Sequence, residues 1–561
     1  MKILRIPVLV LLLGITALSS AQVLTYRWKQ FGRSRTGGTW FRCVTSNPTN
    51  RAVSFSLIVG SDVENQVTIP AHNIGPSETQ TQDVLFKGDS YSGSLSAVEE
   101  GTLFSNLESA DIQQSPRTLN VALVNEVPTT EEITDFGTGT VAKERAYSMV
   151  GTPTTITAEM VPLKSIAPGD LPTNWVYLTA LQNIFISAEG WSALKEEQKD
   201  AVKRYAAWGG FAMIYNADEN SSEPLGAGAL IRSPGNPFKK LPHKIPEKWR
   251  WHPYSYETQS GLNYPAPLST PPVPRNTKGR WGGLVLATLF LILVGPVNYA
   301  YFRRKNRIRM IAVSTPVISC AFCTLIIGYF LASQGFNRRI STLSLTTLDE
   351  RRNEAFLGSV HSFFSGIYPL SGFHFSSETC ILPLTGAADR GENKLRIEID
   401  GDIHVTRGLV KSGNECTYAT FLPYKTRERL VWDAQTQTAM NGFDLPAEKV
   451  FVETTGGLYA GGPAAAGEKV KLSHIDPPSA DIPGGGPLMN ATINHMPEKW
   501  RASFAQGLAP LADGVLNTSG THYAMFFSAD PPQATAGISR DAGTGIHVLV
   551  GLMNNAQPGR K

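Results

Sequence analysis

Charge is scarce in this chain, and its absences are informative. Charged residues make up 17% of the sequence, with 51 Lys and Arg against 47 Asp and Glu, a formal net charge of +4. Backbone binding to nucleic acid needs a broad basic face, so this balance argues against a nucleic-acid partner. Residues 281–302 and 310–333 carry no charge at all and no histidine, which argues against a proton relay or ion path inside either run. Cysteine is rare too, with five in the chain. Cys320 and Cys323 lie in the second uncharged run and read as small packing residues rather than a redox or metal pair. Cys43 has no evident partner, whereas Cys380 and Cys416 share a downstream segment in which export would allow a disulfide. His361, His374, His404, His474, His495, His522 and His547 are scattered without metal-ligand spacing, so no metal and no cofactor is expected. Residues 462–469 imitate a phosphate loop, but Glu468 displaces Lys469 by one place and no Ser or Thr follows; a glycine-rich turn is expected.

What the uncharged runs do have is length. At about 1.5 Å per residue a helix over 281–302 reaches about 33 Å, enough for a hydrocarbon core of about 30 Å. Arg303, Arg304, Lys305, Arg307 and Arg309 separate the two runs. The pattern predicts a transmembrane helical hairpin over 281–333 in the lipid bilayer, with its basic turn held on the cytoplasmic side. Trp281, Tyr299, Tyr301 and Tyr329 stand near the ends, as an aromatic belt requires. Within Gly295-Pro296-Val297-Asn298-Tyr299, a helix-bending proline precedes an intramembrane polar residue. Asn298 either bonds across the hairpin, bonds to a partner subunit, or sits among the headgroups. At the N-terminus, Lys2 and Arg5, an apolar run over 6–18 and the small residues Ser19, Ser20 and Ala21 predict a signal peptide over 1–21, an uncleaved anchor being the alternative. Both signals place the N- and C-terminal domains outside the cytoplasm.

Glycine and proline are abundant, 51 and 37 residues, as in turn-rich β domains. Over 22–115, Val53, Phe55, Leu57 and Val59 alternate with mainly polar neighbours after the Asn47-Pro48-Thr49-Asn50 turn, which predicts a β sandwich. The texture changes at Thr118. Residues 119–124 suit a buried parallel strand, 156–161 a second and 183–186 a third. Ser192 is the expected N-cap of a helix carrying Gln198, Ala201, Val202, Tyr205 and Trp208 at helical spacing; Gly209-Gly210 stops it before a strand over 211–215. This βαβ unit predicts an open, flavodoxin-like α/β domain over 118–232. A Pro-rich connector with interleaved aromatics follows over 233–280, expected to lie partly over the α/β domain or the membrane surface. After the hairpin, Leu395, Ile397 and Ile399 before Asp400-Gly401 predict a β hairpin. A β domain over 339–430 and a β sandwich over 431–561 fit the remaining length.

Leu171-Pro172-Thr173-Asn174-Trp175, the 181–187 strand, and the series from Trp191 through Leu194 and Gln198 to Trp208-Gly209-Gly210 resemble the type 1 glutamine amidotransferase-like domain of uncharacterised bacterial envelope membrane proteins. In those proteins, as here, a Gly-Pro-x-Asn-Tyr membrane segment followed by basic residues comes after the α/β domain. The resemblance covers 118 to about 335. It implies a bacterial inner-membrane location with large periplasm-facing domains. An active member needs a cysteine on a sharp strand-to-helix turn and a histidine to activate it. Residues 118–232 contain neither, and no Gly-x-Ser-x-Gly replaces them.

A non-enzymatic scaffold is therefore the leading expectation, binding membrane or periplasmic protein partners as an accessory subunit of an envelope or transporter complex. The alternative is an envelope ligand-binding sensor or hydrolase using carboxylates at the α/β strand ends. Glu189, Asp218 and Glu219 are its candidate residues, because open α/β sheets bind ligands just beyond those ends.

Overall fold

The computed structural model describes residues 24–34, 38–60, 66–86, 92–99, 102–111, 118–124, 143–147, 153–157, 159–162, 166–181, 183–226, 228–235, 278–334, 339–364, 372–385, 396–409, 415–478, 486–516, 520–529, 534, 537 and 543–553. The expected signal peptide and most of the Pro-rich connector lie outside this set. The described chain is mixed α/β and rich in strands, with several sheets and two apolar helices.

The α/β unit follows the sequence pattern closely. Its six-stranded sheet runs Glu159–Pro162, Thr118–Val124, Asn183–Ser187, Phe211–Tyr215, Gly228–Ser233, Ser221–Leu225, with only the last strand antiparallel. The segment expected as one strand over 156–161 divides into Pro153–Thr157, which pairs with Lys143–Tyr147 in a separate hairpin, and Glu159–Pro162. The crossover helix is Glu196–Trp208, ending at Gly209, whose φ of 111° only glycine adopts readily. Ser192 is not its N-cap: it sits inside the preceding helix Ala188–Ala193 and donates to the Glu189 carbonyl. The helix starts after Lys195, whose N–H donates to the Gln198 side chain. Gln198 then donates from its Nε2 to the carbonyls of Pro168 and Leu171, at 2.9 and 2.6 Å, tying the 168–171 segment to the helix.

The β regions are joined in ways that local patterning does not reveal. A seven-stranded sheet takes Gln66–Ile74, Val53–Gly60, Ser92–Glu99 and Thr102–Asp111 from before the hairpin and Phe373–Phe375, Asp402–Arg407 and Arg396–Asp400 from after it. Its junction is parallel, with Arg396, Ile397 and Glu398 opposite Gln66, Val67 and Thr68. The apolar core beneath is equally shared: Phe41, Phe55, Leu57 and Val67 pack with Ile340, Phe363, Phe373, Ile397 and Tyr418. The segment 22–115 therefore does not close a sandwich from its own strands alone.

A nine-stranded sheet forms the centre of the C-terminal half, and within it Arg339–Asp349 pairs in parallel with the last strand, Gly543–Leu552. It takes strands from both sides of residue 430, so no sheet boundary coincides with the expected division there. The expected all-β character also gives way to helix over Pro487–His495 and Glu498–Gly507. Their Leu488, Met489, Ile493, Trp500 and Phe504 enter the same core as Trp175, Tyr205 and Trp208 of the α/β unit. Cys380 and Cys416 do not bridge. Cys380 lies opposite Phe421, five positions along the strand from Cys416, or about 16 Å at about 3.3 Å per residue. An odd offset also puts them on opposite faces of the sheet, and they belong to different cores.

The hairpin comprises the spans Leu284–Arg304 and Ile308–Tyr329, of which 6% and 0% are buried. A core helix of a water-soluble fold would be covered, so these two exposed apolar helices mark a membrane protein. The first widens to a π-helix over Leu293–Val297, where Pro296 supplies no N–H to the helical ladder. Just beyond it Asn298 is buried, donating to Thr315 Oγ1 at 3.2 Å and accepting from Ser314 Oγ at 2.9 Å. Of the three expected roles, Asn298 takes the first: it bonds across the hairpin.

The α/β unit is locked to the β body by Asn174 and Trp175. Asn174 accepts from the Val176 N–H as helix N-cap and donates to the Ser377 carbonyl at 2.8 Å, while Trp175 Nε1 donates to the Glu378 carbonyl at 3.0 Å. The fully buried Trp175 ring meets both Trp208 and Phe356, with centroids 6.4 and 5.9 Å away. Trp175→Ala should therefore cost about 3–5 kcal/mol of unfolding free energy, and Trp175→Phe, which keeps a ring but loses the hydrogen bond, much less. Chemical denaturation of the purified protein checks this; an alanine variant as stable as the parent would contradict the clamp.

Candidate functional site

The strand ends of the α/β sheet do not assemble a site from the expected acids. Glu189 is exposed in the first turn of Ala188–Ala193, and Asp218 and Glu219 are exposed in the loop after Phe211–Tyr215. Glu219 accepts from Arg232 Nη1 at 3.3 Å and from Ser221 Oγ at 3.2 Å. None of the three lines either of the two clefts described below. The strand Asn183–Ser187 passes directly into helix, the form a nucleophile elbow takes, but Ser187 is the residue there. Its hydroxyl is buried and caps the helix by accepting from the Gly190 N–H at 3.0 Å.

Two clefts instead lie on seams between the α/β unit and the β body. The first is largely apolar, lined by Leu85, Val176, Tyr177, Ile381, Ile397 and Leu409 among others, with Asn174, Ser377 and Thr379 as its polar lining residues. The Tyr177 hydroxyl there is pushed up to about 12 by burial, with Asp83 adding to the effect.

The second cleft is rich in charge and is built by three separate segments. The helix Glu196–Trp208 brings Lys203 and Arg204, the turn after Arg339–Asp349 brings Arg351 and Arg352, and the end of Glu415–Lys425 brings Lys425. Its floor is apolar, including Ala207, Leu225, Phe356, Val515 and Leu552. Gly226 also lines it at a φ of +48°, where a Cβ would come within 2.5 Å of the Ala207 carbonyl oxygen, so the close approach of loop and helix depends on glycine. Arg352 bonds Glu223 at 2.5 Å and Asp349 at 3.3 Å, Arg351 bonds both oxygens of Asp349, and Arg204 bonds Glu378 at 2.7 Å. The Arg352 and Arg204 pairs cross the seam. Lys203 and Lys425 have no carboxylate partner within ion-pair distance among the described residues.

The basic residues of the membrane turn stay together at the end of the hairpin. Arg303 lies over the Tyr299 ring and Lys305 donates to the Tyr301 hydroxyl at 2.7 Å. The imitation phosphate loop is a turn in which Glu468 accepts from the Ala465 N–H at 2.8 Å. Among the described residues no group of three or more His, Cys, Asp and Glu has the geometry to hold a metal ion.

The histidines are less scattered in space than in sequence. On one face of the large sheet, His361 bonds Thr342 at 3.2 Å and Thr420 at 3.0 Å, and His547 bonds Ser344 at 2.9 Å. All of these side chains are buried. Strand register places His361 opposite Thr342 and His547 opposite Ser344, so alternation around these positions was the available signal. Burial pushes His547 down to about 3, which keeps it neutral and argues for structure rather than proton transfer.

No family model and no curated protein matches this chain. Among solved structures it is similar to an X-ray structure of a Northeast Structural Genomics Consortium target, at 12% identity and a TM-score of 0.12 over 15% of this chain and 80% of that one. It is also similar to the yeast delta-COP-I mu-homology domain, at 8% identity and a TM-score of 0.18 over 38% of this chain and 95% of that one. The same domain complexed with a Dsl1 WxWxV peptide gives 8% identity and a TM-score of 0.17, over 38% and 96%. Likeness at this level carries no argument about function.

The His547 geometry does generate a pH dependence. Above the ordinary histidine value of about 6.5 the ring is neutral in both folded and unfolded chains and contributes no slope. Below it, the unfolded chain takes up a proton that the folded protein refuses. Stability should therefore fall as pH drops from about 6.5 toward about 3, with a slope from this residue of up to about 1.4 kcal/mol per pH unit. His547→Asn should flatten that part of the profile in denaturation measured across the range; an unchanged slope would contradict a buried neutral His547.

Proposed function

We propose that this chain is a membrane-anchored, periplasm-facing interaction scaffold, with its hairpin in the bacterial inner membrane and its sheets forming a binding body for membrane or periplasmic proteins. The observation that carries the reading is the seven-stranded sheet, in which strands from before and after the hairpin pair directly. Such pairing suits a chain that enters the membrane and returns to the same compartment, leaving the basic turn on the other side. Positive charge at that turn favours the cytoplasm for it, and hence the periplasm for the body. The non-enzymatic part of the reading rests on the composition of 118–232 and on the exposed, dispersed positions of Glu189, Asp218 and Glu219.

Single cysteines introduced at the exposed positions Glu197, Asp402 and Asn306 test the arrangement. A membrane-impermeant maleimide applied from the periplasmic side should label Glu197→Cys and Asp402→Cys, and should reach Asn306→Cys only after the membrane is opened. Labelling of Asn306→Cys from the periplasmic side would overturn the topology. Crosslinking in native membranes followed by mild solubilisation should recover a specific partner; recovery of the chain alone in every case would count against a scaffold.

A further inference from the structure

The seam between helix Glu196–Trp208 and the large sheet has the chemistry of a recognition site, and its charge and size restrict what it takes. Five cationic side chains line it, Lys203, Arg204, Arg351, Arg352 and Lys425, with Asp349 and Glu354 as the lining acids. Arg204, Arg351 and Arg352 are engaged by Glu378, Asp349 and Glu223, which fixes their positions. Among the described residues Lys203 and Lys425 are the two of these cations with no carboxylate within ion-pair distance, although Glu196 feels the charge of Lys203 and Glu354 stands opposite Lys425 in strand register; they approach the cleft from the α/β unit and the β body respectively. Phe356, Val515 and Leu552 belong to the apolar part of the same lining.

The enclosed volume is about 60 Å³. Sites that surround a free small molecule run to about 300–1,000 Å³, so the cleft is too shallow to enclose one. It is large enough for one or two side chains presented from outside. The cleft also sits at the far end of the eleven-residue strand Arg339–Asp349, whose other end follows the second membrane helix. At about 3.3 Å per residue that strand is about 36 Å long.

We infer that this seam docks an acidic, partly apolar peptide segment of a partner protein, with its carboxylates on Lys203 and Lys425 and an apolar side chain against the apolar part of the lining. The inference rests on the scaffold reading and names the kind of partner surface that the scaffold receives.

The test uses the full-length protein in detergent micelles and a short fluorescent peptide of alternating Glu and Leu, compared with the same peptide carrying Gln for Glu. The Glu peptide should bind, weaken with added salt, and lose roughly fivefold in affinity with each of Lys203→Glu and Lys425→Glu. Because Glu354 stands opposite Lys425 in register, Lys425→Gln is measured beside Lys425→Glu, and melting curves of all variants separate lost docking from lost stability; Lys425→Gln should keep the parent's melting and still weaken the Glu peptide, and the double variant should lose binding most. Failure of the Glu peptide to bind, equal binding of the Gln peptide, or undiminished binding to the double variant would overturn the inference. Displacement of the peptide by an equal concentration of inorganic phosphate would also overturn it, in favour of a site for free anions. If the peptide fails while crosslinking in membranes still recovers a partner, the docking site is wrong and the scaffold stands; if neither is found, both fall.

Discussion

The parallel pairing of Arg396–Asp400 with Gln66–Ile74 is the contact on which the architecture turns. Taken alone it is short, three residues in register with a side-chain bond from Arg396 to Gln66 at 3.4 Å. Its strength comes from what it seals. Ile397 and Val67 meet within an apolar core that also holds Phe55, Phe363 and Tyr418, so strands from both sides of the hairpin bury one another's side chains. A chain that merely hung two domains from a membrane anchor would leave each free to move. Here the flanks of the anchor are closed into a shared core, and the hairpin becomes a loop projecting from that body. Asn298 does for the hairpin what the sheet does for the body, holding the two helices in one register by bonds to Ser314 and Thr315.

A second consequence concerns where function can reside. In an open α/β sheet the strand ends are the usual ligand site. In this fold the Asn174–Trp175 clamp and the Arg204 and Arg352 ion pairs turn another surface into a seam with the β body, and both clefts form along it. Leu171 to Trp175, Gln198 and Trp208 have a physical purpose in that geometry. Gln198 ties the loop to the helix, and Trp175 and Trp208 carry the packing onto Phe356 and Phe421.

What was legible in the sequence is what is local. The two spans follow from uninterrupted apolar length, the Glu196–Trp208 helix from its spacing and its glycine stop, and the Val53–Gly60 strand from alternation. Strand partnership across hundreds of residues left no local mark, which is why the N-terminal β region looked self-contained and residue 430 looked like a boundary. Cys380 and Cys416 are near in sequence, yet strand register carries them to opposite faces and into different cores. The helices over 487–507 fall within a stretch expected as β sandwich; Pro487 occupies the first helical turn, where proline is tolerated, so its presence does not exclude a helix. The basic seam was invisible for a similar reason: its cations come from three segments that are ordinary surface patterns in isolation.

The most direct measurement is disulfide trapping across the junction itself. With Gln66→Cys and Arg396→Cys introduced together, register partners in adjacent parallel strands, mild oxidation of intact membranes should yield an intramolecular bond. On a gel this appears as a mobility shift of the monomer reversed by reductant, absent when Asp402 replaces Arg396 as the second site. Free thiols at both positions after oxidation, with each accessible to alkylation, would mean that the flanks of the hairpin do not meet, and the account of one body closed across the membrane anchor would fail.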